Sequence, residues 1–277
     1  MRIGILGGGQ LGMMLAHAAA RLGHTCRFLD PDPDACAQRA GEFICAPFDD
    51  PAAIDRFAHG LDVATFEFEN VPVATAEAVA ARVRLAPSVA SLRVTQDRLE
   101  EKRWFARSDF DTAPWARVES LDDLRAAVTS IGLPAILKTR RGGYDGKGQA
   151  RLRAVSDAEP AWNAIGGQPA ISESMIRFDR ELSLIGARGS DGTIAWAPLV
   201  ENSHAGGILR LTRAPAPHVD PAIERAAHAH ARALMESLHH VGVFTVELFQ
   251  VGGRLLANET APRVHNSGHW TIEGAPT

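Results

Sequence analysis

Over the first 85 residues, short apolar runs alternate with longer segments that have helical character. The predicted elements are strands at 2–6, 25–29, 63–69 and 83–85 and helices that end near residue 22 and span 73–82. This alternation of strand and helix indicates an α/β unit with a parallel, doubly wound sheet. Residues 88–107 are predicted to be helical and to lead out of it.

After residue 113 the pattern changes, and hairpins join several of the predicted strands. Helices are expected at 121–131, 157–165 and 222–240, and strands at 136–138, 149–152, 170–175, 181–187, 194–200, 243–250 and 254–259. Gly189-Ser190-Asp191-Gly192 and Gly252-Gly253 are hairpin turn signals. The second part of the chain is therefore predicted to be α+β.

The composition excludes several classes of protein. Hydrophobic residues make up 45% and charged residues 22% of the chain, as in an ordinary globular protein. A formal charge of −4 gives no reason to expect nucleic acid as the main partner. No apolar run is long enough to cross a membrane, and the start is too short and glycine-broken for a signal peptide. The odd number of cysteines, three, fits a reducing cytoplasm.

The most informative segment, residues 136–149, joins an apolar strand to a glycine-rich, cationic loop. The chain has only three lysines, and two of them, Lys138 and Lys147, lie here; the third is Lys102. Lysine supplies a compact ammonium charge where arginine would supply a planar fork. The four glycines let backbone N–H groups approach a ligand and form an anion-binding concavity. This segment predicts a phosphate site.

A second glycine cluster, Gly7, Gly9 and Gly12, follows the first strand, and Asp30 ends the second. This spacing matches the dinucleotide-binding pattern of nicotinamide and flavin enzymes, a pattern that is not specific by itself. The same loop would also suit another phosphate, or a tight turn that only packs the helix on the sheet.

Two acidic pairs are candidates for ligand binding. Glu67 and Glu69 are expected to share one face of a strand, either at the ligand-binding edge of the sheet or on a solvated face. Glu247 and Glu259 flank the Gly252-Gly253 turn. A three-residue loop would place these two opposite each other, whereas a two-residue loop would pair Glu247 with Asn258 instead. Two convergent carboxylates without histidine or cysteine suit Mg²⁺; two surface acids on a hairpin are the alternative.

Residues 261–270 form a dense set of polar donors after that hairpin. Arg263 offers a bidentate grip on phosphate or carboxylate. His265 and His269 have the spacing of a helical zinc pair, but Gly268 between them argues against a helix.

Together these residues resemble the ATP-grasp superfamily and, within it, the N5-carboxyaminoimidazole ribonucleotide synthases. The motifs are Gly8-Gly9-Gln10-Leu11-Gly12, Thr65-Phe66-Glu67-Phe68-Glu69-Asn70, Gln96-Asp97-Arg98-Leu99, residues 140–149, Glu201-Asn202-Ser203-His204 and residues 258–270. The resemblance implies a Rossmann-like pre-ATP-grasp domain at 1–94 and an ATP-grasp domain at 95–277. The latter would comprise a lid subdomain at about 113–176 and a larger subdomain at about 177–277. Relatives continue into a C-terminal domain, which this chain is expected to lack.

The resemblance also implies the site residues. ATP would contact Arg98, Lys138, Gly143, Tyr144, Asp145, Gly146, Lys147, Gly148, Gln149, Glu173, Ser174, Met175, Ile176, Glu181, His204, Asn258 and Glu259. Glu247 and Glu259 would hold Mg²⁺. The ribonucleotide substrate would contact Gln10, Glu67, Glu69, Tyr144, Asp145, Lys147 and Ser267. The residues with catalytic roles would be Lys138, Asp145, Lys147, Arg263, His265 and Asn266, the last three holding bicarbonate and the phosphate it receives.

The implied enzyme is a cytoplasmic, homodimeric ligase of purine biosynthesis. It would use ATP and bicarbonate to carboxylate the amine of 5-aminoimidazole ribonucleotide through carboxyphosphate, with Asp145 positioning that amine or taking its proton. The alternatives are an ATP-grasp ligase acting on glycinamide ribonucleotide, a nicotinamide oxidoreductase built on the first glycine cluster, and an inactive nucleotide-binding fragment.

Overall fold

A parallel sheet organises the first domain of the computed structural model, which describes residues 1–143 and 147–274. The elements are β1 (Arg2–Leu6), α1 (Gln10–Arg21), β2 (Thr25–Asp30), β3 (Glu42–Cys45), α2 (Pro51–Ala58), β4 (Val63–Phe66) and α3 (Val73–Ala80). The strand order is β3-β2-β1-β4 with every pair parallel, which confirms the doubly wound prediction. Buried Phe28, Phe57 and Phe66 pack between sheet and helices.

The sequence analysis missed β3 and α2, and two of its predicted strands are shorter in the structure. β4 ends at Phe66, the last residue that pairs with β1, so Glu67 and Glu69 lie in the following loop. The expected strand 83–85 contributes only a bridge between Ala64 and Leu85. In both cases the strand ends where the neighbouring strand no longer forms hydrogen bonds with it. The local pattern of apolar and polar residues does not show where that happens.

Two helices, α4 (Val89–Thr95) and α5 (Arg98–Arg107), occupy the region predicted as helical. They are separated at Asp97, which has extended backbone geometry and caps α5 by accepting a hydrogen bond from the Leu99 N–H. A short side-chain acceptor at this position starts a new helix instead of continuing the old one.

The next subdomain is an antiparallel sheet covered by two helices. Its elements are β5 (Trp115–Val118), α6 (Leu121–Ile131), β6 (Ala135–Thr139), β7 (Gln149–Leu152), α7 (Ala158–Ala164) and β8 (Ala170–Ser174), in the strand order β5-β8-β6-β7. α6 has the predicted bounds because Ser120 caps its start and Gly132, with φ of 83°, follows its end. Lys138 lies near the end of β6, just before the glycine-rich loop.

The larger subdomain is a second antiparallel sheet packed on one long helix. Its elements are β9 (Arg180–Arg188), β10 (Ile194–Trp196), β11 (Val200–Ala205), β12 (Ile208–Arg213), α8 (Pro221–Ser237), β13 (Gly242–Val251), β14 (Arg254–Ala261) and the short α9 (Thr271–Gly274). The order is β12-β11-β9-β13-β14, with β10 beside β9. The strand expected at 194–200 is divided in two around Pro198, which has no N–H to donate, and β12 was not anticipated.

The helices α4 and α5, residues 89–107, form the linker between the first domain and the two subdomains that follow. His240 joins the larger subdomain to α4 of this linker. Its Nδ1 lies 3.1 Å from Ser91 Oγ and its Nε2 lies 3.0 Å from the Val243 carbonyl oxygen, and the side chain is fully buried. Burial lowers the pKa of His240 to about 4 from an ordinary 6.5. The neutral imidazole is therefore the form that this junction requires.

As the pH falls from 6.5 to 4, we expect His240 to lower the free energy of unfolding of the wild-type protein. In that window the unfolded chain binds a proton at this histidine and the folded chain does not, so the loss reaches about 3 kcal/mol at the acid end. Urea unfolding across this range should show a flatter pH dependence for His240→Gln than for the wild type. Equal slopes for the two proteins would contradict the assignment; exposed His17→Gln is the matched control.

Candidate active site

A cleft of about 940 Å³ is lined by residues of the first domain, of the α4–α5 region and of both subdomains that follow. The predicted site residues that it brings together are Glu69, Arg98, Lys138, Gly143, Lys147, Gln149, Met175, Glu181, His204, Glu247, Asn258, Glu259, Arg263, His265 and Asn266. Seven predicted residues from the described part of the chain are not among its lining: Gln10, Glu67, Gly148, Glu173, Ser174, Ile176 and Ser267. Tyr144, Asp145 and Gly146 lie outside the described residues.

Glu247 and Glu259 face each other across β13 and β14 because of a β-bulge. The turn between the strands has two residues, with Val251 paired to Arg254, so an unbroken ladder would pair Glu247 with Asn258. The register shifts between Glu247 and Leu248, and Glu247 is paired with Glu259 instead. Asn258 is the extra residue, and its side chain donates to Glu247 Oε2 at 3.3 Å. The loop therefore has two residues, as in one predicted alternative, while the two acids lie opposite each other, as in the other.

The surroundings of the two carboxyl groups shift their pKa values in opposite directions. Burial, and then the like charge of Glu259, raise the pKa of Glu247 to about 8. Burial also opposes ionisation of Glu259, but the nearby charges of Arg98 and Lys138 outweigh it and lower the pKa of Glu259. A cation would relieve the repulsion and let both groups ionise.

The donor set fits Mg²⁺. This ion takes oxygen ligands and is usually held by one or two protein carboxylates, with phosphates and water completing its shell. Within residues 1–143 and 147–274 no group of three or more histidine, cysteine or acidic side chains could hold a metal by itself. A two-carboxylate site that a ligand completes is consistent with both observations.

A buried chain of alternating charges supports Lys138. Its Nζ lies 3.3 Å from Glu173 Oε1, and Lys102 Nζ lies 3.3 Å from Glu173 Oε2. Burial opposes ionisation of Glu173, but Lys138 and Lys102 outweigh it and lower its pKa to about 2. The Glu173 carboxylate thus orients two lysines.

Linker residues hold the base of the glycine-rich loop. Arg98 donates to the carbonyl oxygens of Thr139 and Gly143, both at 3.1 Å. Buried Asp97 accepts two hydrogen bonds from Arg140, at 3.0 and 2.7 Å. The Thr139 N–H also donates to the Gly148 carbonyl oxygen, which closes the loop at its root.

Another part of the cleft lining combines aromatic rings with an ion pair. Phe178 and Phe249 stack with centroids 4.7 Å apart, and Ile136 also lines the cleft. The hydrogen bond between His204 Nδ1 and Glu181 raises the pKa of His204. Flat apolar surface beside polar groups suits a heteroaromatic ring.

Arg263 connects the larger subdomain to the first domain. Its guanidinium lies 2.8 Å from Glu69 Oε2. His265 Nε2 lies 3.4 Å from Glu247 Oε1, and its Nδ1 lies 2.9 Å from Oγ of the fully buried Ser267. Ser267 therefore orients His265 and does not face the cleft. Residues 266–268 form a 3₁₀ turn, so His265 and His269 do not form a helical metal pair.

The first glycine cluster binds the chain's own carboxylates. Glu67 accepts hydrogen bonds from the N–H groups of Gly9, at 2.5 Å, and Gly12, at 2.6 Å. The Gly8 N–H donates to Asp30 at 2.7 Å. The backbone N–H groups at the start of α1, which a dinucleotide phosphate would need, therefore already donate to the Glu67 carboxylate.

This arrangement also corrects the prediction that Glu67 and Glu69 share a face. Glu67 turns towards the glycine loop and Glu69 towards Arg263, because both follow the end of β4 and are free of its alternation. Gln10 is exposed at the start of α1. Substrate contacts by Gln10 and Glu67 remain predictions.

Replacing Glu67 by glutamine should destabilise the protein by about 1–3 kcal/mol, the usual loss for a charge-assisted hydrogen bond in a buried site. The amide NH₂ would meet a backbone N–H at Gly9 or Gly12, leaving one donor unpaired. Urea unfolding measures the loss, and exposed Glu77→Gln on α3 is the control. An unchanged midpoint would show that the glycine loop does not depend on this anion.

Several residues near the cleft were not predicted as site residues. Asp97, Arg140, Glu101 and Lys102 connect the linker to both faces of the cleft, and Phe178 forms part of its apolar wall. The rarity of lysine was a usable signal for Lys102. The others look like ordinary helix and loop residues in the sequence.

Known proteins match the whole chain. The family model of the ribonucleotide synthetase preATP-grasp domain matches residues 1–96, and that of the ATP-grasp domain matches residues 103–277. The N5-carboxyaminoimidazole ribonucleotide synthase of Pseudomonas aeruginosa is 46% identical over 275 residues, which cover 99% of this chain and 76% of the relative. This chain belongs to the N5-carboxyaminoimidazole ribonucleotide synthase family.

Solved structures of N5-carboxyaminoimidazole ribonucleotide synthetases share the fold. The enzyme from Thermus thermophilus is 52% identical with a TM-score of 0.92, over 99% of this chain and 74% of that one. The enzyme from Aspergillus clavatus, solved with ADP and 5-aminoimidazole ribonucleotide, is 30% identical with a TM-score of 0.89, over 99% and 72%. Among the described residues of this family member, no helix has the length and apolar character needed to cross a membrane.

Proposed function

We propose that this chain carboxylates the amine of 5-aminoimidazole ribonucleotide, using ATP and bicarbonate, to give N5-carboxyaminoimidazole ribonucleotide in purine biosynthesis. The observation that carries the proposal is the half-buried pair Glu247 and Glu259, near the charges of Arg98 and Lys138, in a chain of this family. The complex of the Aspergillus clavatus relative with ADP and the imidazole ribonucleotide supports the choice of substrate.

ATP occupies the cleft between the two ATP-grasp subdomains. Its adenine ring lies against the wall formed by Met175, Phe178 and Phe249, and its phosphates extend towards Lys138 and Glu259. This placement is supported by the stacked rings of Phe178 and Phe249 and by the charged groups of Lys138 and Glu259, all of which line the cleft. The loop 143–149 would cover the phosphates.

Mg²⁺ bound by Glu247 and Glu259 would supply positive charge to the phosphate oxygens. Arg98 and Lys138 keep Glu259 ionised, so that it can accept the metal, and Asn258 orients Glu247. The domain boundaries predicted at residues 94, 113 and 177 and the individual site assignments are part of this proposal.

The chain's cations activate bicarbonate, which is a poor electrophile. Bicarbonate attacks the terminal phosphorus of ATP, ADP leaves, and carboxyphosphate forms. Lys138 and Arg263 neutralise charge on the transferring group, with His265 and Asn266 beside them. Carboxyphosphate then releases phosphate and CO₂, and the exocyclic amine attacks CO₂ and loses a proton to give the carbamate. Asp145, outside the described residues, remains the predicted group at that amine.

Arg263 must change partners to take this role. It is paired with Glu69, and Glu69 is the predicted substrate contact on the first domain. Binding of the ribonucleotide beside Glu69 would release the guanidinium for bicarbonate or phosphate. The ion pair would therefore link occupation of one substrate site to readiness of the other.

ADP release from ATP–Mg²⁺ tests the function. We expect release to require both 5-aminoimidazole ribonucleotide and bicarbonate, and glycinamide ribonucleotide to be inactive. Release with glycinamide ribonucleotide alone would assign the chain to another ATP-grasp ligase. Absence of release under all conditions, with Mn²⁺–ADP still bound, would favour an inactive nucleotide-binding protein.

The family resemblance also supports a homodimer in the cytoplasm, and both are part of the proposal. Light scattering of the purified chain should give twice the 29.7 kDa mass of one copy. A mass of one copy would exclude the dimer.

A further inference from the structure

Two consecutive charged residues of α5, Glu101 and Lys102, are buried, with exposures of 3% and 1%. Neighbouring residues on a helix point in different directions, yet both of these reach the same strand. Glu101 Oε1 accepts from the Thr260 N–H at 2.7 Å and from Thr260 Oγ at 2.5 Å. Lys102 Nζ donates to the Asn258 carbonyl oxygen at 2.8 Å. Glu259 is the residue between these two contacts.

The contacts fall on the outer edge of β14, the last strand of its sheet. An edge strand presents backbone groups without ladder partners, and the β-bulge at Asn258 interrupts the ladder on the inner side as well. On this outer edge the Ala257 N–H donates to the Asp111 carbonyl oxygen, and among the described residues no further strand pairs with the backbone around Glu259. The side chains of α5 supply hydrogen bonds to that backbone on either side of Glu259.

Lys102 also reaches the other subdomain. Its ammonium group lies 3.3 Å from Glu173 on β8, whose second oxygen lies 3.3 Å from Lys138 on β6. A continuous series of polar contacts thus runs from the Asn258 carbonyl through Lys102 and Glu173 to Lys138. It connects the carboxylate side of the cleft to its phosphate side through buried groups.

Stability alone does not explain these charges. Replacing a buried ion pair such as Lys102–Glu173 by apolar residues of similar volume is often neutral or stabilising, and α5 already packs through Leu99, Trp104 and Phe105. Fully satisfied polar networks instead restrict a site to one geometry.

We propose that Glu101 and Lys102 are positioning residues, which hold the metal ligand Glu259 and the phosphate-binding Lys138 in a fixed relation across the cleft. This inference rests on the proposed function and deepens it, because the relation matters only if metal and phosphate are bound together. Neither side chain needs to touch the reacting atoms.

The test is Mn²⁺ binding in the presence of ADP, followed by the electron paramagnetic resonance signal of free Mn²⁺. Lys102→Met removes the contact to Asn258 but leaves Glu173 paired with Lys138, so we expect a folded protein that binds Mn²⁺ about tenfold more weakly, as is typical when a group supporting a metal ligand is lost. Glu101→Leu should weaken binding similarly, whereas Glu101→Gln keeps an acceptor for Thr260 and should restore most of it.

The matched controls are Glu100→Gln and Arg103→Met, which alter an exposed ion pair on the same helix and should leave Mn²⁺ binding unchanged. Steady-state rates provide a second readout: in Lys102→Met the Mg²⁺ concentration for half-maximal ADP release should rise about tenfold, while the KM for 5-aminoimidazole ribonucleotide stays constant. Thermal unfolding checks that each variant is folded.

Wild-type Mn²⁺–ADP affinity in both folded Lys102→Met and folded Glu101→Leu would overturn the proposal, as would equal weakening in the two control variants. Because Mn²⁺–ADP binding does not require carboxylation, the two proposals fail separately. A wild type that binds Mn²⁺–ADP but carboxylates nothing would refute the function only. Full activity with normal metal binding in both Lys102→Met and Glu101→Leu would refute the positioning role only.

Discussion

Replacing Glu259 by glutamine should lower the rate of ATP-dependent carboxylation by about 10²- to 10³-fold, the range seen when one preorganised stabilising group is removed from an active site. The amide keeps the size of the side chain but loses the charge that Arg98 and Lys138 surround. The metal site would then have one ionisable ligand left, Glu247, whose pKa burial already raises. Initial rates of ADP release at saturating substrates measure the effect.

Two companion variants make this result specific. Glu236→Gln, on the exposed face of α8, should behave as wild type because its carboxylate only pairs loosely with Arg232 at 3.8 Å. Glu247→Gln alone should resemble Glu259→Gln, and the double variant should lose little more, because groups that act as one unit give non-additive effects. A Glu259→Gln rate within about threefold of wild type would remove the acid pair from the mechanism.

Replacing Lys138 by methionine should reduce the turnover rate by about 10²-fold, with a smaller effect on the binding of ADP, because the ammonium group is needed most where charge develops during phosphoryl transfer. Glu173 would keep Lys102 as a partner, so we expect the variant to fold. Single-turnover ADP formation and ADP titration separate the two effects.

Lys138→Arg tests whether the site requires a compact ammonium group or any positively charged side chain. A planar guanidinium cannot occupy the position of a compact ammonium group between Glu173 and the cleft, so we expect little recovery of turnover. Arg153→Met, which removes an exposed cation of the same subdomain, is the control. If Lys138→Arg were fully active, any positive charge would suffice and the rarity of lysine in this chain would have another cause.

Local pattern was sufficient for most elements of the fold. The bounds of β1, α6 and β7 agree with the prediction residue for residue, because each lies between clear punctuation such as Gly7, Ser120 and Gly132. Elements without such signals were missed or merged: β3, α2, β5, β12 and the short α9 were not predicted, and α4 and α5 were predicted as one helical region. Their ends depend on partners distant in the chain.

At the candidate site, residue types alone specify which chemical groups are available. Rare lysines beside a glycine loop, two acids on a hairpin and an arginine after it indicate phosphate, a divalent cation and an anion, because residue type sets charge, donor capacity and flexibility. Which of these groups act together depends on the contacts of the folded chain.

Only the folded chain placed Glu247 opposite Glu259, since a β-bulge must be accommodated by the neighbouring strand. Only the fold turned Glu67 into an internal anion for the glycine loop and brought Glu101 and Lys102, more than 150 residues away in sequence, to the backbone around Glu259. Hydrogen bonds and ion pairs act over a few ångströms and are independent of sequence separation, so such partnerships exist only once the chain has folded.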